Sequence, residues 1–429
     1  MKEKIINSEN KVLNHTFSAK KILLHPLFSG SFFMIVGTNF ANFIAYIYHL
    51  IFGRILGPSL YGELVATISL IGLIMSAFSF FGIVIVKFVS SAEPKDLSSV
   101  LGWFNSKVIK IAAIITVLIW IVSPFLGSFT HLSRSITILF APLLFFSIIS
   151  LVYRSFLQGI MKFKEVAILS NIELFGRLIF GLIFIYLNMK VFGAVLGMLL
   201  SGISVVLLTK YFLKRVGFAK NTVEGFNWKK IVTYALPVFV VSFSFTSLLT
   251  SDMIMVKHFF TSYDAGIYGA VSNLGKIIFY GTAPIGAVMF PLIAKKKSQK
   301  AKFTNIFLLS ILLVTGLGFT VLLLYYLFPS AAINILYGEK YLVGSKYLLL
   351  MGLYYILYSI ANLMSSFLLS IDLIKPLIII PVFALIQIAV IYFFHNSIGW
   401  VIGASIISVS LLLAYLALYF AYAKAKISQ

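Results

Sequence analysis

The chain contains no cysteine and few acidic residues. Without cysteine it forms no disulfide and offers no thiolate ligand to a metal. Asp and Glu number 12 among 429 residues, and all charged residues together make up 11%, whereas 61% are hydrophobic. A chain of this composition cannot surround a folded core with a mostly polar surface. The composition therefore places it in a lipid bilayer.

Catalytic signatures are missing as well. The sequence has no Gly-rich phosphate loop, no His-Glu-x-x-His pair and no nucleophile elbow. It also has no acidic cluster between the apolar runs that would hold a sugar nucleotide and its metal. We therefore predict no catalytic residue, no metal site and no cofactor, and we predict that the chain by itself is not an ATP-driven pump.

The 34 Lys and Arg residues give a formal net charge of +22, which at first favours a nucleic-acid partner. These residues lie in short breaks between apolar runs, however, rather than together on one polar face. Such a pattern is typical of a membrane protein, because Lys and Arg are retained on the cytoplasmic side. We predict no contact with nucleic acid.

Apolar runs long enough to cross the hydrocarbon core, about 20 residues, occur twelve times. With the N-terminus in the cytoplasm, the alternation leaves six basic residues outside, namely Arg54, Arg134, Lys190, Lys257, Lys340 and Lys346. We predict an all-α, polytopic membrane protein with twelve transmembrane helices in two six-helix lobes and both termini in the cytoplasm. The predicted domains are a cytoplasmic tail at 1–29, an N-lobe at 30–213, a cytoplasmic inter-lobe loop at 214–230, a C-lobe at 231–422 and a cytoplasmic tail at 423–429.

Two short sequence signals occur once in each half. Leu-Tyr-Gly-Glu-Leu at 60–64 corresponds to Ile-Tyr-Gly-Ala-Val at 267–271, 207 residues later. Phe-Leu-Gln-Gly-Ile at 156–160 corresponds to Phe-Leu-Leu-Ser-Ile at 367–371, 211 residues later. Six spans separate the members of each pair, so both copies have the same orientation. The pattern predicts a parallel repeat about an axis along the membrane normal, as in secondary transporters with a binding site between two halves.

A polar stripe follows the first predicted span. Asn39, Asn42, Tyr46 and His49 fall on one face of the helix, and the rest of its circumference is largely apolar. One interpretation is that these side chains line a hydrated cavity. The other is that they hydrogen-bond a neighbouring helix, as polar residues of membrane helices often do.

Ionisable residues also lie inside spans, where the bilayer makes them costly. They are Arg154 in the fourth span, with Gln158 on the same face, Glu173 and Arg177 in the fifth, Asp252 in the seventh and Lys276 in the eighth. Glu173 and Arg177 are four residues apart, so they either neutralise each other or pair and also line a cavity. Asp252 would pair with Lys276 in the same way if their helices touch.

This set holds more cations than anions, even before Arg54 at the predicted outer mouth is added. A partly dehydrated cavity of that sign would favour an anion, and Arg offers a fixed fork of donors that matches phosphate oxygens. The predicted phosphate contacts are therefore Arg154, Arg177 and Lys276, with Arg54 attracting or releasing the anion at the outer mouth. The stripe of the first span and Gln158 are predicted as further substrate contacts. Glu173 and Asp252 are predicted to pair with the cations or to couple transport to an ion.

The segment Phe-Gly-Arg-Ile-Leu-Gly-Pro-Ser-Leu-Tyr-Gly at 52–62 resembles the first helix-to-helix turn of the polysaccharide transporter, or oligosaccharide flippase, family. The resemblance continues in Arg-Ser-Phe-Leu-Gln-Gly at 154–159, Leu-Pro at 236–237, Asp252 and Asp-Ala-Gly-Ile-Tyr-Gly at 264–269. That family belongs to the multidrug/oligosaccharidyl-lipid/polysaccharide exporter superfamily.

The resemblance implies two six-helix lobes around a cavity that opens alternately to either side of the cytoplasmic membrane. It implies as substrate an oligosaccharide on a polyprenyl phosphate or diphosphate, turned over for cell-surface polysaccharide biosynthesis. Glycosyltransferases and a glycan polymerase of the same pathway would be partners, together with the bilayer itself.

Three alternatives stay open from the sequence, one of which is a non-transporting scaffold for a glycan assembly complex. A multidrug antiporter of the same superfamily would couple efflux to a cation, although such exporters typically carry acidic residues in the first lobe's cavity and the first span here has none. A membrane-embedded glycan polymerase or ligase would need a substantial outer loop with catalytic groups, which is not evident.

Overall fold

The computed structural model describes residues 26–92, 96–214, 228–299 and 301–427. Within these ranges the chain is helical and contains no strand. The α-helices are α1 Pro26–Ser91, α2 Leu97–Thr130, α3 Arg134–Ile138, α4 Phe140–Gly159, α5 Phe163–Tyr186, α6 Lys190–Leu213, α7 Trp228–Phe259, α8 Ser262–Ser298, α9 Thr304–Leu327, α10 Pro329–Tyr337, α11 Ser345–Ser370, α12 Ile380–Phe393 and α13 Ile398–Ile427. Short 3-10 helices at Glu339–Gly344 and Lys375–Ile379 precede α11 and α12.

Most of the predicted tail at 1–29 and most of the predicted loop at 214–230 lie outside the described residues. Helix α13 continues into the predicted tail at 423–429, whose last two residues are also outside the described part. The domain boundaries drawn from the sequence therefore stay predictions.

Helix α1 is two helical arms joined at Gly57. The backbone there is non-helical, with φ 71° and ψ 171°, which glycine adopts without a steric penalty, and Pro58 follows without an N–H to donate. We call the arm before Gly57 α1a and the arm after it α1b. The sequence predicts two spans separated by this turn, and the break lies where they meet.

Eleven helices of the described part are long and apolar enough to cross a membrane. The first of these stretches, Val36–Ser90, covers 55 residues, which at about 1.5 Å per residue is far longer than a hydrocarbon core of about 30 Å. Division at Gly57 would give twelve crossings. The count of twelve and the cytoplasmic position of the termini stay predictions.

The two halves of the chain meet mainly along α1, which packs against α7 and α8. Backbones touch where α1b and α8 begin. A Cβ on Gly266 would lie 1.9 Å from the carbonyl oxygen of Pro58, and a Cβ on Gly62 would lie 2.3 Å from that of Ser262. Small residues permit such close helix approach in membranes. We call this end of the bundle the Gly57 end and the opposite end, where α1 begins and α8 ends, the terminal end.

Candidate functional site

A cavity of about 250 Å³ separates the two halves toward the terminal end. Helix α1a lines one side and the second half of α8 lines the other, with lining residues Met34, Thr38, Asn39, Asn42, Tyr280, Ala283, Pro284, Ala287 and Val288. Asn39 and Asn42 belong to the stripe that the sequence predicts, and both are exposed. The side chains of Asn39 and Asn42 are thus exposed to the space between the two halves.

Tyr61 contacts the end of the polar stripe that lies toward the Gly57 end. Its hydroxyl lies 3.2 Å from Nδ1 of His49 and 3.2 Å from the hydroxyl of Tyr337, and it accepts a 2.8 Å hydrogen bond from Nδ2 of Asn273. These groups come from both halves of the chain, so the cluster crosses the interface. Tyr46, the remaining residue of the stripe, is half-buried and its hydroxyl has no hydrogen bond within the described residues.

Arg154, Glu173 and Arg177 form one ionic cluster between α4 and α5. One carboxylate oxygen of Glu173 pairs with Arg154 and the other pairs with Arg177. Arg154 also donates to the hydroxyls of Ser150, at 3.0 and 3.1 Å, and Ser170, at 3.3 Å. The side chains are 22%, 14% and 29% exposed for Arg154, Glu173 and Arg177. The cluster is thus largely shielded and carries a net charge of +1.

The cluster lies in the interior of the first half, behind α1a. Helix α5 packs on α1a, where Asn171 donates a 3.0 Å hydrogen bond to the carbonyl of Gly37. The ring of Tyr48, on the same face of α1a, is an electrostatic neighbour of Arg177. That face is opposite to the one that carries Asn39 and Asn42. The structure therefore does not bring Arg154 and Arg177 into the α1a–α8 cavity.

The arginines do not face the lipid. The exposed apolar stripe of α5 consists of Ile168, Ile172, Phe175, Ile179 and Ile183, and Glu173 and Arg177 lie on the opposite side of the helix. The ionisable side chains of α5 thus point into the first half. Their predicted role in binding the substrate stays a prediction.

Lys276 and Asp252 are near each other but do not pair. Asp252 is fully buried and accepts a 2.5 Å hydrogen bond from the hydroxyl of Tyr268 and a 2.7 Å bond from the N–H of Met253. Lys276 is half-buried on α8, and its side chain makes no hydrogen bond or ion pair with any described residue. It lies within electrostatic range of both Asp252 and His49. The described residues thus include no ion pair between Asp252 and Lys276, and the carboxylate accepts instead from Tyr268 and the N–H of Met253.

Arg54 lies at the Gly57 end, where it contacts backbone carbonyls of the second half instead of facing an opening. Its Nε donates a 3.0 Å hydrogen bond to the carbonyl of Leu336, and its Nη2 contacts the carbonyls of Asn334 and Ile335. Gln158 lies in the last turn of α4 and is half-buried. Across the described ranges, no group of three or more His, Asp or Glu side chains is arranged to hold a metal ion.

Residues 27–297 match the profile of a family described as polysaccharide biosynthesis protein. The chain belongs to this family. This polysaccharide biosynthesis family member is also similar, at 23% identity over 313 residues, to an uncharacterised membrane protein of Methanocaldococcus jannaschii, with 66% of this chain and 73% of that protein covered.

Two solved structures of transport proteins share this fold. An inward-facing multidrug resistance transporter of the MATE family, in the MOP superfamily, matches with a TM-score of 0.72 at 16% identity over 88% of this chain and 95% of that one. The lipid II flippase MurJ, in an inward closed conformation, matches with a TM-score of 0.71 at 16% identity over 90% and 87%. The family member therefore has the fold of these two membrane proteins, and its described part contains eleven helices long and apolar enough to cross a membrane.

Proposed function

We propose that this transporter moves an oligosaccharide linked to polyprenyl phosphate or diphosphate across the cytoplasmic membrane by alternating access, for cell-surface polysaccharide biosynthesis. The observation that carries the proposal is Lys276. A half-buried cation with no partner in the described part of the chain, between the two halves of a membrane transporter, favours an anionic substrate.

Lys276 is the first phosphate contact in this proposal. An ammonium group that no carboxylate holds is available to a phosphate oxygen, and such a contact is stronger in a shielded site than in water. The Arg154–Glu173–Arg177 cluster contributes its net charge of +1 from behind α1a. Direct contact with either arginine would require the halves to rearrange, since α1a separates the cluster from the cavity.

The sugar is proposed to contact Asn39, Asn42, Tyr46, His49 and Gln158. Amide, phenol and imidazole groups supply both donors and acceptors, as sugar hydroxyls require. The cavity of about 250 Å³ is smaller than the roughly 300 to 1,000 Å³ usual for small-molecule sites. Entry of an oligosaccharide therefore requires the terminal end to open further, while the lipid tail stays in the bilayer.

Twelve crossings, two six-helix lobes and cytoplasmic termini complete the proposed architecture. In this orientation the terminal end faces the cytoplasm, where glycosyltransferases would supply the substrate, and the Gly57 end faces outward, where a glycan polymerase would receive it.

A cation-coupled multidrug antiporter is the second candidate, and Asp252 favours it. Asp252 is fully buried and lies near Lys276, so protonation of its carboxylate or binding of a cation there would change the electrostatic interactions between the surrounding helices. Asp252 and Glu173 would serve ion coupling in either function.

Reconstitution into liposomes separates the two candidates. Purified protein is tested with a fluorescent diphosphate-linked glycolipid, scored by leaflet inversion, and with a cationic dye, scored by efflux under a Na⁺ or H⁺ gradient. The flippase proposal predicts inversion of the glycolipid, and protein-free liposomes give the background. Dye efflux that Asp252→Asn abolishes, without glycolipid inversion, would establish the antiporter instead.

A further inference from the structure

Two cationic side chains cross the interface between the halves in opposite directions, at the Gly57 end. Arg54 ends α1a and binds the carbonyls of Leu336, Asn334 and Ile335 in the second half. Lys257, in the last turn of α7, donates a 3.3 Å hydrogen bond to the carbonyl of His131 in the first half and a 2.8 Å bond to the hydroxyl of Ser262 in its own half. Neither contact follows from the sequence motifs.

The two contacts occupy matching places in the repeat. His49 and Asp252 each contact the tyrosine of the repeated Tyr-Gly signal, Tyr61 and Tyr268, and lie 203 residues apart. Arg54 and Lys257 also lie 203 residues apart, so they occupy the same position in the last turns of α1a and α7. The acceptors match too. Asn334, Ile335 and Leu336 lie in α10, which connects the third and fourth predicted spans of the second half, and His131 lies in the equivalent connection of the first half, between α2 and α4.

Each cation caps the C-terminal end of a helix in the opposite half. Leu336 is in the last turn of α10, and His131 is the residue that ends α2, with a left-handed φ of 48°. The last carbonyls of a helix have no partner within the helix and carry a partial negative charge, so a cation is favoured there. We call the contacts of Arg54 and Lys257 the two latches. Each latch supplies a donor to helix-terminal carbonyls of the opposite half, namely those of Leu336 and His131.

Neighbouring contacts reinforce both latches. Beside Arg54, the hydroxyl of Tyr341 donates a 2.7 Å hydrogen bond to the carbonyl of Gly53. Beside Lys257, Nδ1 of His258 lies 2.6 Å from the carbonyl of Phe129, and the two rings stack with centroids 4.0 Å apart. At the terminal end, by contrast, α1a and α8 stand apart around the cavity.

We propose that Arg54 and Lys257 form a reciprocal pair of latches that holds the Gly57 end closed, and that both must release before the transporter opens at that end. The inference rests on the proposed alternating access but not on the identity of the substrate. It assigns Arg54 to closure of the two halves in place of the phosphate contact at the mouth.

Spin-label distances test the latches directly. The native chain has no cysteine, so labels attach only at introduced sites. Tyr186→Cys with Asn396→Cys reports the Gly57 end, and Met161→Cys with Ala301→Cys reports the terminal end, all four positions being exposed. Pulsed double electron–electron resonance is measured on full-length protein in nanodiscs without substrate.

Arg54→Gln and Lys257→Gln are each expected to raise the ratio of open to closed Gly57 ends at least about tenfold, because each removes at least one charge-assisted hydrogen bond across the interface. Because the latches share no residue, the double variant should raise it about a hundredfold, with a matching decrease in the distance at the terminal end. Arg54→Lys should stay closed. Arg134→Gln, at an exposed arginine on the same end, is the matched control.

Unchanged distances in both single variants and in the double variant would overturn the proposal, whatever the wild-type protein transports. Lys257 is buried, and its replacement could prevent folding. In that case Arg54→Gln at its exposed position decides the question alone, and an unchanged distribution in that variant overturns the proposal.

Discussion

Tyr268 donates a 2.5 Å hydrogen bond to the buried carboxylate of Asp252, with which Lys276 forms no ion pair. Tyr61, the matching tyrosine of the repeat, contacts His49 in the first half. In each half the first residue of the Tyr-Gly signal is thus anchored to an ionisable side chain of the preceding helix. The repeated Tyr-Gly signal therefore marks a hydrogen-bonded contact with the preceding helix as well as a helix-to-helix turn.

Removal of the Tyr268 hydroxyl should destabilise the protein. Tyr268→Phe leaves Asp252 buried with one donor fewer, and a hydrogen bond to a charged group contributes about 1.5 to 3 kcal/mol. Thermal unfolding of purified protein measures the change. Tyr326→Phe is the matched control, because the Tyr326 side chain is 67% exposed. Equal unfolding temperatures for both variants would contradict the assignment.

Glu173 should stabilise the first half by neutralising one of two shielded arginines. Glu173→Gln leaves Arg154 and Arg177 without a counter-charge. We expect the free energy of unfolding to fall by about 1 to 3 kcal/mol. This is at or below the value for a fully buried pair, because the cluster is partly exposed to solvent. Adding Arg177→Gln restores the net charge and should recover part of the loss.

A double-mutant cycle in chemical denaturation measures this coupling. Glu339→Gln, at an exposed position in the 3-10 helix before α11, is the control and should change little. If the losses from Glu173→Gln and Arg177→Gln simply add, the cluster is not an energetic unit.

Close backbone approach at the Gly57 end should make two glycines irreplaceable. Alanine at Gly266 would meet the carbonyl of Pro58 at 1.9 Å, and alanine at Gly62 that of Ser262 at 2.3 Å, so either change must push α1b and α8 apart. We expect lower thermal stability and reduced polysaccharide export. Gly316→Ala on α9 is the control, since its Cβ would meet nothing within 4 Å and alanine favours a helix by up to about 1 kcal/mol. If Gly266→Ala changed neither thermal stability nor export, the two halves would be packed less tightly here than we infer.

The first span shows how far sequence reasoning reaches. Periodicity placed Asn39 and Asn42 on one face, and the α1a–α8 cavity uses that face. The turn at Gly57 was readable because only glycine tolerates the backbone there and Pro58 cannot continue the helical hydrogen bonding. Spacing also gave the Glu173–Arg177 pair, which is local to one helix.

Contacts between distant segments were not readable. Arg154 shares Glu173 because α4 packs on α5, and the only signal was a polar stripe on each helix. Tyr268 contacts Asp252 through packing of α8 on α7, which no spacing rule encodes. Arg54 reaches carbonyls 280 to 282 residues away, so its place at a predicted mouth gave no indication of its partner.

The most direct test of the account is the inversion rate of a fluorescent diphosphate-linked glycolipid in liposomes that contain Lys276→Ala. Loss of a charge-assisted contact to phosphate should lower the rate at least about tenfold. Lys276→Arg should retain most of it, and Lys296→Ala, at an exposed lysine of the same helix, should match the wild type. A wild-type rate in a folded Lys276→Ala protein would contradict the claim that this cation meets the substrate.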